Sequence, residues 1–501
     1  MAIEIEPGLT EVPPGGSPTH EPATLLANST FMLLARAFTL ASGGALIVYA
    51  ARTFTVSEYG HYAVAVAMMA IFALLSELGI SSLSLREMSP HDARRAQILG
   101  VALVAEIVTS AAAAALLVPV GLALGYPSAV LVLLALAAGV LLFQGLLPPI
   151  DATFKATRLL VYAAVLIFVQ SAVTAAVGFT LVALGAGPAG LMIALLAGTI
   201  AAVPVGLVLL KERLGIVPSF DDAWTRMLPF LRASAPIAFT GAITAIYERV
   251  DVVMVSKLDS SAAAAIYSIP LTIVQYSLLV PAIIGTAFFP LFANTLRADP
   301  ASARESFFLV SRLFLFASVP LALVLSAGGG DIVTILFGDR YHASGGVLLL
   351  LGWNVILGFQ IFLLWYGLLA ANREREVAVL MAAGLALNVG LNFGLIPAYG
   401  SKGAAASLIA SDAFVVLGQA ALLHRRVFDL PLTQILVKPL IAGAPVVPVV
   451  VALRPVSGLL AGVVSALLFA SVLLASRYIS RVEWEPLTKP VGRLLGRIVG
   501  R

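Results

Sequence analysis

A chain of 501 residues that is 60% hydrophobic and only 11% charged, with a mean hydropathy of +1.03, falls outside the soluble globular class, in which about a quarter of residues are charged. The absence of cysteine excludes disulfides, thiolate zinc sites and thiol catalysis, and the five scattered histidines have no metal-binding spacing. The formal charge of +4 reads as the Lys/Arg excess that orients membrane proteins, not as a nucleic-acid footprint.

Residues 1–24 are rich in Pro, Gly and Glu and have neither Lys nor Arg; they lack the basic start of a signal peptide and read as a disordered cytoplasmic tail. Crossing the hydrocarbon core takes about 20 apolar residues in a helix. Such runs occur at 28–51, 59–85, 98–124, 128–148, 159–184, 188–210, 236–256, 265–293, 312–336, 345–371, 376–396, 403–423, 436–453 and 457–476. The expected fold is therefore an all-α polytopic membrane protein with fourteen spans. Pro439, Pro445, Pro448 and Pro455 interrupt the last two. With a cytoplasmic N-terminus, 23 of the 30 basic residues fall on inner segments and five on outer loops, while Arg36 and Arg249 lie within spans. That asymmetry predicts a cell-membrane protein with both termini cytoplasmic. At the end of the chain, 477–501 form a basic tail. Its "VGRLLGRIVGR" places Arg493, Arg497 and Arg501 four apart, which suits either a helix on an anionic membrane surface or a solvated tail.

"GPAGLMIALLAG" (187–198) and "GSKGAAASLIAS" (400–411) share a Gly-x-x-Gly opening at an offset of 213, and a weaker echo sets Tyr62 over Tyr267 at an offset of 205. Six spans separate the copies, so both halves enter the membrane in the same sense. This predicts two six-helix bundles related by a pseudo-two-fold axis along the membrane normal, the parallel-repeat plan of transporters. The bundles cover 25–210 and 236–423, joined by a cytoplasmic linker at 211–235 and followed by two additional helices in 424–476.

Ionisable groups at bilayer depth cost at least about 2.5–3.5 kcal/mol and normally face protein or a watery cavity. In "AIYERVDVVMVSK" (245–257), Glu248, Arg249 and Asp251 cover an arc of about 160° at about 100° per residue. Glu248 and Asp251 share a face, and Arg249 is offset toward a neighbouring helix or an anion. Arg36 and Glu77 are expected at one depth on adjacent helices, as an ion pair or as substrate contacts. Asp412 sits near the middle of span twelve, and Asn388 and Asn392 share a face of span eleven, read as interhelical hydrogen bonding. Glu106 and Asp331 are expected near span ends, in water. Arginines in a cavity open to lipid suit an anionic head group, because the planar fork grips phosphate bidentately. Carboxylates beside them suit a coupling proton or sodium ion. No cofactor is expected, and the short outer loops leave no room for an enzyme domain.

Several segments carry a resemblance in order along the chain: "ARTFTVSEYGHYAV" (51–64), "SELGISSLSLREM" (76–88), "YERVDVVMVSKLDSSAAAAIYSI" (247–269), "FFPLF" (288–292), "ILFGDRY" (335–341) and "IPAYGSKGAAAS" (396–407). They resemble the polysaccharide-biosynthesis (Wzx-like) flippases of the multidrug/oligosaccharidyl-lipid/polysaccharide exporter superfamily, although Ala265 stands where that family commonly has Gly. The resemblance implies a V-shaped central cavity, with Arg36, Arg249 and Asp251 at positions that tend to carry polar cavity groups. It also implies transfer of a polyprenyl- or dolichyl-(di)phosphate-linked oligosaccharide to the outer leaflet, alongside other polysaccharide-assembly proteins. The rival expectations are a multidrug/cation antiporter of the same superfamily and a membrane-integral polymerase or ligase.

Overall fold

The computed structural model describes residues 21–88, 94–430, 432–476 and 478. Of the tail expected over 1–24, only 21–24 are described, as the first turn of a helix; of the tail over 477–501, only Tyr478 is described. Every described element is helical, as a chain solvated by lipid requires when its backbone groups must bond within their own segment.

In the first half, α1 (Glu21–Thr53), α2 (Val56–Glu77), α3 (Ile80–Glu87), α4 (Arg95–Ala123), α5 (Ser128–Gln144), α6 (Leu147–Ala156), α7 (Leu160–Ala183) and α8 (Gly187–Leu214) follow one another. The second half holds α9 (Ala223–Leu258), α10 (Ser261–Ser277), α11 (Leu279–Ala298), α12 (Pro300–Ala327), α13 (Gly329–Phe337), α14 (His342–Ala370), α15 (Glu374–Tyr399) and α16 (Ser401–Arg426). Then come α17 (Leu432–Gly443), α18 (Val446–Leu453) and α19 (Gly458–Ala475). Among the described residues, twelve helical segments are long and apolar enough to cross a membrane. They coincide with twelve of the fourteen expected spans. The seventh expected span lies on the long α9, and the thirteenth falls on the short pair α17 and α18.

Besides the thirteenth, four expected spans are broken rather than continuous: α2/α3 at Leu78–Gly79, α5/α6 at Gly145–Leu146, α10/α11 at Leu278 and α12/α13 at Gly328. At the first break two successive residues are left-handed, Leu78 (φ 44°) and Gly79 (φ 71°), a conformation that costs a non-glycine residue about 1–2 kcal/mol.

The same neighbour order recurs in both halves. In the first, α1 packs on α7, α7 on α8, α8 on α5, α5 on α4 and α2, and α2 on α4. In the second, α9 packs on α15, α15 on α16, α16 on α14, α14 on α12 and on α10/α11, and α11 on α12. The Gly-x-x-Gly repeat has a physical cause in this arrangement. Gly187 and Gly400 open their helices at φ +60° and +57°, where an L side chain is strained. Gly190 and Gly403 lie against Leu181 of α7 and Leu395 of α15; a side chain at Gly403 would collide with the Leu395 carbonyl, and one at Gly190 would crowd Leu181 at 3.0 Å. The last helices pad the second half, burying Ala442, Val446, Phe469 and Leu473 against Leu323 of α12.

Between the halves α2 and α10 approach closely enough that a Cβ on Gly60 would run into the carbonyl oxygen of Ser261. Gly60→Ala should therefore destabilise the protein by about 1–3 kcal/mol, the usual cost of overpacking. Earlier loss of monodisperse protein on heating would show it; an unchanged heating profile would mean that the α2–α10 contact yields without cost.

Candidate functional site

The helix α9 sorts its polar residues by face. Tyr247 and Asp251 are four apart and so fall on one stripe, which is buried: Asp251 is 2% exposed and Tyr247 6%. Arg249 is about 200° from both and only half-buried, and Glu248 is exposed. Glu248 and Asp251 therefore do not share an environment. Asp251 turns into the second half, while Arg249 turns away from it, within electrostatic range of Tyr276 and Glu248.

Inside the second half Asp251 accepts hydrogen bonds from the Tyr267 hydroxyl (2.7 Å) and from Asn392 Nδ2 (2.7 Å). Asn392 also donates to Asn388 Oδ1 (3.1 Å), and Asn388 donates to Ser411 Oγ (3.3 Å). Asp412, 6% exposed, accepts from the Tyr247 hydroxyl (2.5 Å) and from Asn354 Nδ2 (2.8 Å). One network thus joins α9, α10, α14, α15 and α16. Both carboxylates have each oxygen hydrogen-bonded, and among the described residues neither meets a Lys or Arg. Asn354 Oδ1 and Asn392 Oδ1, buried beside them, accept nothing. Two buried carboxylates without a counter-charge are costly, and oxygens of this kind are the hard ligands that a sodium ion or a proton satisfies.

The two halves meet most firmly at the end carrying the α1–α2 and α9–α10 turns. Arg52 Nε donates to the Leu336 carbonyl (2.8 Å) and its Nη2 to that of Ile335. Arg340 donates to the Phe54 carbonyl (2.6 Å). The Tyr59 and Tyr341 rings meet edge-on at 5.9 Å, Tyr126 bonds Ser256 (2.7 Å), and the Lys257 ammonium lies 3.7 Å over the Tyr126 ring. Toward the opposite end, α1 leans on its own half through Thr39 and Ser171 (2.6 Å) and has no substantial interface with α11. Phe31, Leu33 and Leu34 of α1 and Ile283, Ile284 and Leu291 of α11 are exposed there.

Arg36 projects from this open flank of α1. It is exposed and shares a helix face with Leu40 and Gly44, and a Cβ on Gly44 would lie 4.0 Å from the Tyr276 ring. Among the described residues it makes no ion pair with Glu77. Glu77 is half-buried and faces Ser81 and Lys155 instead, because α2 breaks directly after it. Of the six acidic and basic residues singled out in the sequence, then, Asp251 and Asp412 join one buried network; Arg36, Arg249 and Glu248 stay outside it, and Glu77 stands apart in the first half.

Asp331 is not simply solvated but accepts from Ser457 Oγ and the Leu459 N–H, both at 2.8 Å, and so caps α19. Glu106 is 1% exposed, not in water. The network members that the sequence did not single out, Tyr247, Asn354 and Ser411, carry no local signal, since Tyr247 and Asp412 are 165 residues apart.

A family model described as polysaccharide biosynthesis protein matches residues 50–345. No curated protein sequence matches significantly. Among solved structures the fold is similar to the lipid II flippase MurJ in an inward closed conformation, at 13% identity and TM-score 0.67, covering 90% of this chain and 99% of that one. It is also similar to an inward-facing multidrug resistance MATE family transporter of the MOP superfamily, at 12% identity and TM-score 0.60, covering 76% and 93%. A MOP superfamily transporter from Pyrococcus furiosus, described as having a binding pocket of reverse polarity, matches at 10% identity and TM-score 0.57, covering 79% and 93%. At these identities the likeness is one of fold.

Proposed function

The chain belongs to the polysaccharide biosynthesis protein family, and from that premise we propose that it carries a polyprenyl- or dolichyl-(di)phosphate-linked oligosaccharide from the cytoplasmic to the outer leaflet by alternating access. The observation that carries this reading is the flank between α1 and α11, which have no substantial interface while the halves are tied at the end of the α1–α2 and α9–α10 turns; Arg36 projects from that flank, and neither it nor Arg249 makes a hydrogen bond or ion pair among the described residues. A lipid-linked substrate needs a flank open to lipid for its tail and cationic groups for its phosphate; α1 and α11 supply the first, Arg36 and Arg249 the second. The closed end then faces outward and both termini lie in the cytoplasm. The two halves, with their matching neighbour order, rock about the axis between them.

The buried network of Asp251 and Asp412 is the place we assign to the coupling ion, sodium or proton. The orphaned oxygens of Asn354 and Asn392 support that assignment. Binding there would tighten α9 against α15 and α16, so that the ion and the substrate act on opposite faces of one helix. The multidrug antiporter reading predicts acidic groups lining the cleft itself, whereas the carboxylates of this network are turned into the second half and Arg36 stands on the open flank.

A strain lacking the protein should lose its surface glycan without becoming sensitive to cationic drugs. Drug sensitivity with normal glycan would favour the antiporter. Sugar transfer by the purified protein would point to an enzyme.

A further inference from the structure

The first half contains a buried acid that this reading does not use. Glu106 of α4 is 1% exposed, and neither of its carboxyl oxygens has a hydrogen-bond partner; Ser110, one turn on and fully buried, is likewise unpartnered. Two broken helices converge on this point. The α2/α3 break places Glu77 within electrostatic range of Glu106. The α5/α6 break presses Gly145 against it, so that a Cβ on Gly145 would lie 3.2 Å from Glu106 Oε2 and would collide with Ser110 Oγ. Discontinuous helices are how membrane transporters commonly build ion sites.

We propose that Glu106 is a second ion site, separate from the Asp251–Asp412 network, and that its ligand is a proton relayed to and from Glu77. An ionised carboxylate this deep, with no donor, would cost several kcal/mol, so the neutral acid is the form that fits the pocket. Gly145 packs tightly over Glu106 and Ser110, and among the described residues no group of three His, Cys, Asp or Glu side chains that could hold a metal ion occurs, whereas a proton needs no such shell. Among the described residues, the charged groups facing this site from packed elements are Glu77 on α2 and, beside Glu77, Lys155, which is paired with Asp151 on α6. From α9, Met227 and Phe230 present apolar surface to α4. Glu77 is half-buried. In the relay the O–H bond of Glu106 breaks as an O–H bond forms on Glu77, and the negative charge passes inward to Glu106. Exchange with water then restores Glu77. The site stands whether or not the carried substrate is a lipid-linked sugar.

Infrared spectroscopy of the full-length protein in lipid tests this without any substrate. At neutral pH the wild type should show a protonated-carboxyl C=O band that Glu106→Gln removes. Glu77→Gln, at a half-buried position that tolerates the change, should shift the titration of that band to lower pH, because the neighbouring negative charge is gone. A merely structural Glu106 would give the band but not the shift, which would overturn the relay. Absence of a Glu106 band at neutral pH, or its displacement by sodium, would overturn the proton site itself.

Discussion

Reversing the charge at Arg249 (Arg249→Glu) should abolish surface glycan export while leaving the protein folded and inserted. The second half of that expectation follows from the contacts: Arg249 is half-buried and makes no hydrogen bond or ion pair among the described residues, so its loss strands no partner. The first half follows from electrostatics. A guanidinium about 4 Å from a phosphate, in surroundings of effective dielectric about 20, contributes about 4 kcal/mol, and reversal turns that attraction into repulsion of similar size. Export should fall by well over a hundredfold. Arg249→Lys should fall between, because the charge remains while the bidentate fork is lost. The paired readout is surface glycan by labelling and protein level in the membrane fraction. Normal glycan from a folded Arg249→Glu protein would remove Arg249 from the site.

Much of the fold was legible because lipid imposes a simple rule. Each crossing must be a long apolar helix, so composition alone marks it, and twelve of the expected spans have such helices. Where a span is divided the rule is silent. Apolar composition does not separate the continuous α7 from the broken pair α5 and α6; there the divide is followed at once by Pro148 and Pro149 at the start of α6, which have no N–H to carry the helical ladder across it. The repeated Gly-x-x-Gly was legible for a different reason: the same backbone corner, positive φ followed by tight packing, recurs and leaves glycine as the residue that fits both places.

The candidate site was legible in its residues but not in its sides. Glu248, Arg249 and Asp251 crowd into four positions, and on one helix they resemble a single wet face. Their division appears only when the partners are known. Tyr267 and Asn392 draw Asp251 inward, and Asn392 lies 141 residues away. Counting residues from a span end also misplaced Glu106. Depth along a helix does not say what lies beside it, and here two helix breaks enclose the carboxyl in protein.

Neutralising Asp251 should separate the ion from the fold. Asp251→Ala leaves the Tyr267 hydroxyl and one N–H of the Asn392 amide without an acceptor in a buried site; at about 1–3 kcal/mol for each stranded group, the variant should lose about 2–6 kcal/mol of stability. Asp251→Asn is different. Its carbonyl oxygen can still accept from Tyr267, and its amide can donate to Asn392 Oδ1, which accepts nothing in the wild type, once the Asn392 amide turns over. The fold should therefore survive while the negative charge is lost. Heating the purified protein in sodium chloride and in choline chloride, each at several pH values, reads the consequence. If the wild type binds sodium in the network, sodium at about a hundred times its dissociation constant adds about 2.7 kcal/mol and raises the melting temperature; if it binds a proton, acid does so instead. Asp251→Asn should be indifferent to whichever ion acts on the wild type. A wild type that responds to neither, or an Asp251→Asn protein that responds as the wild type does, would leave the network as structural bonding with no part in transport.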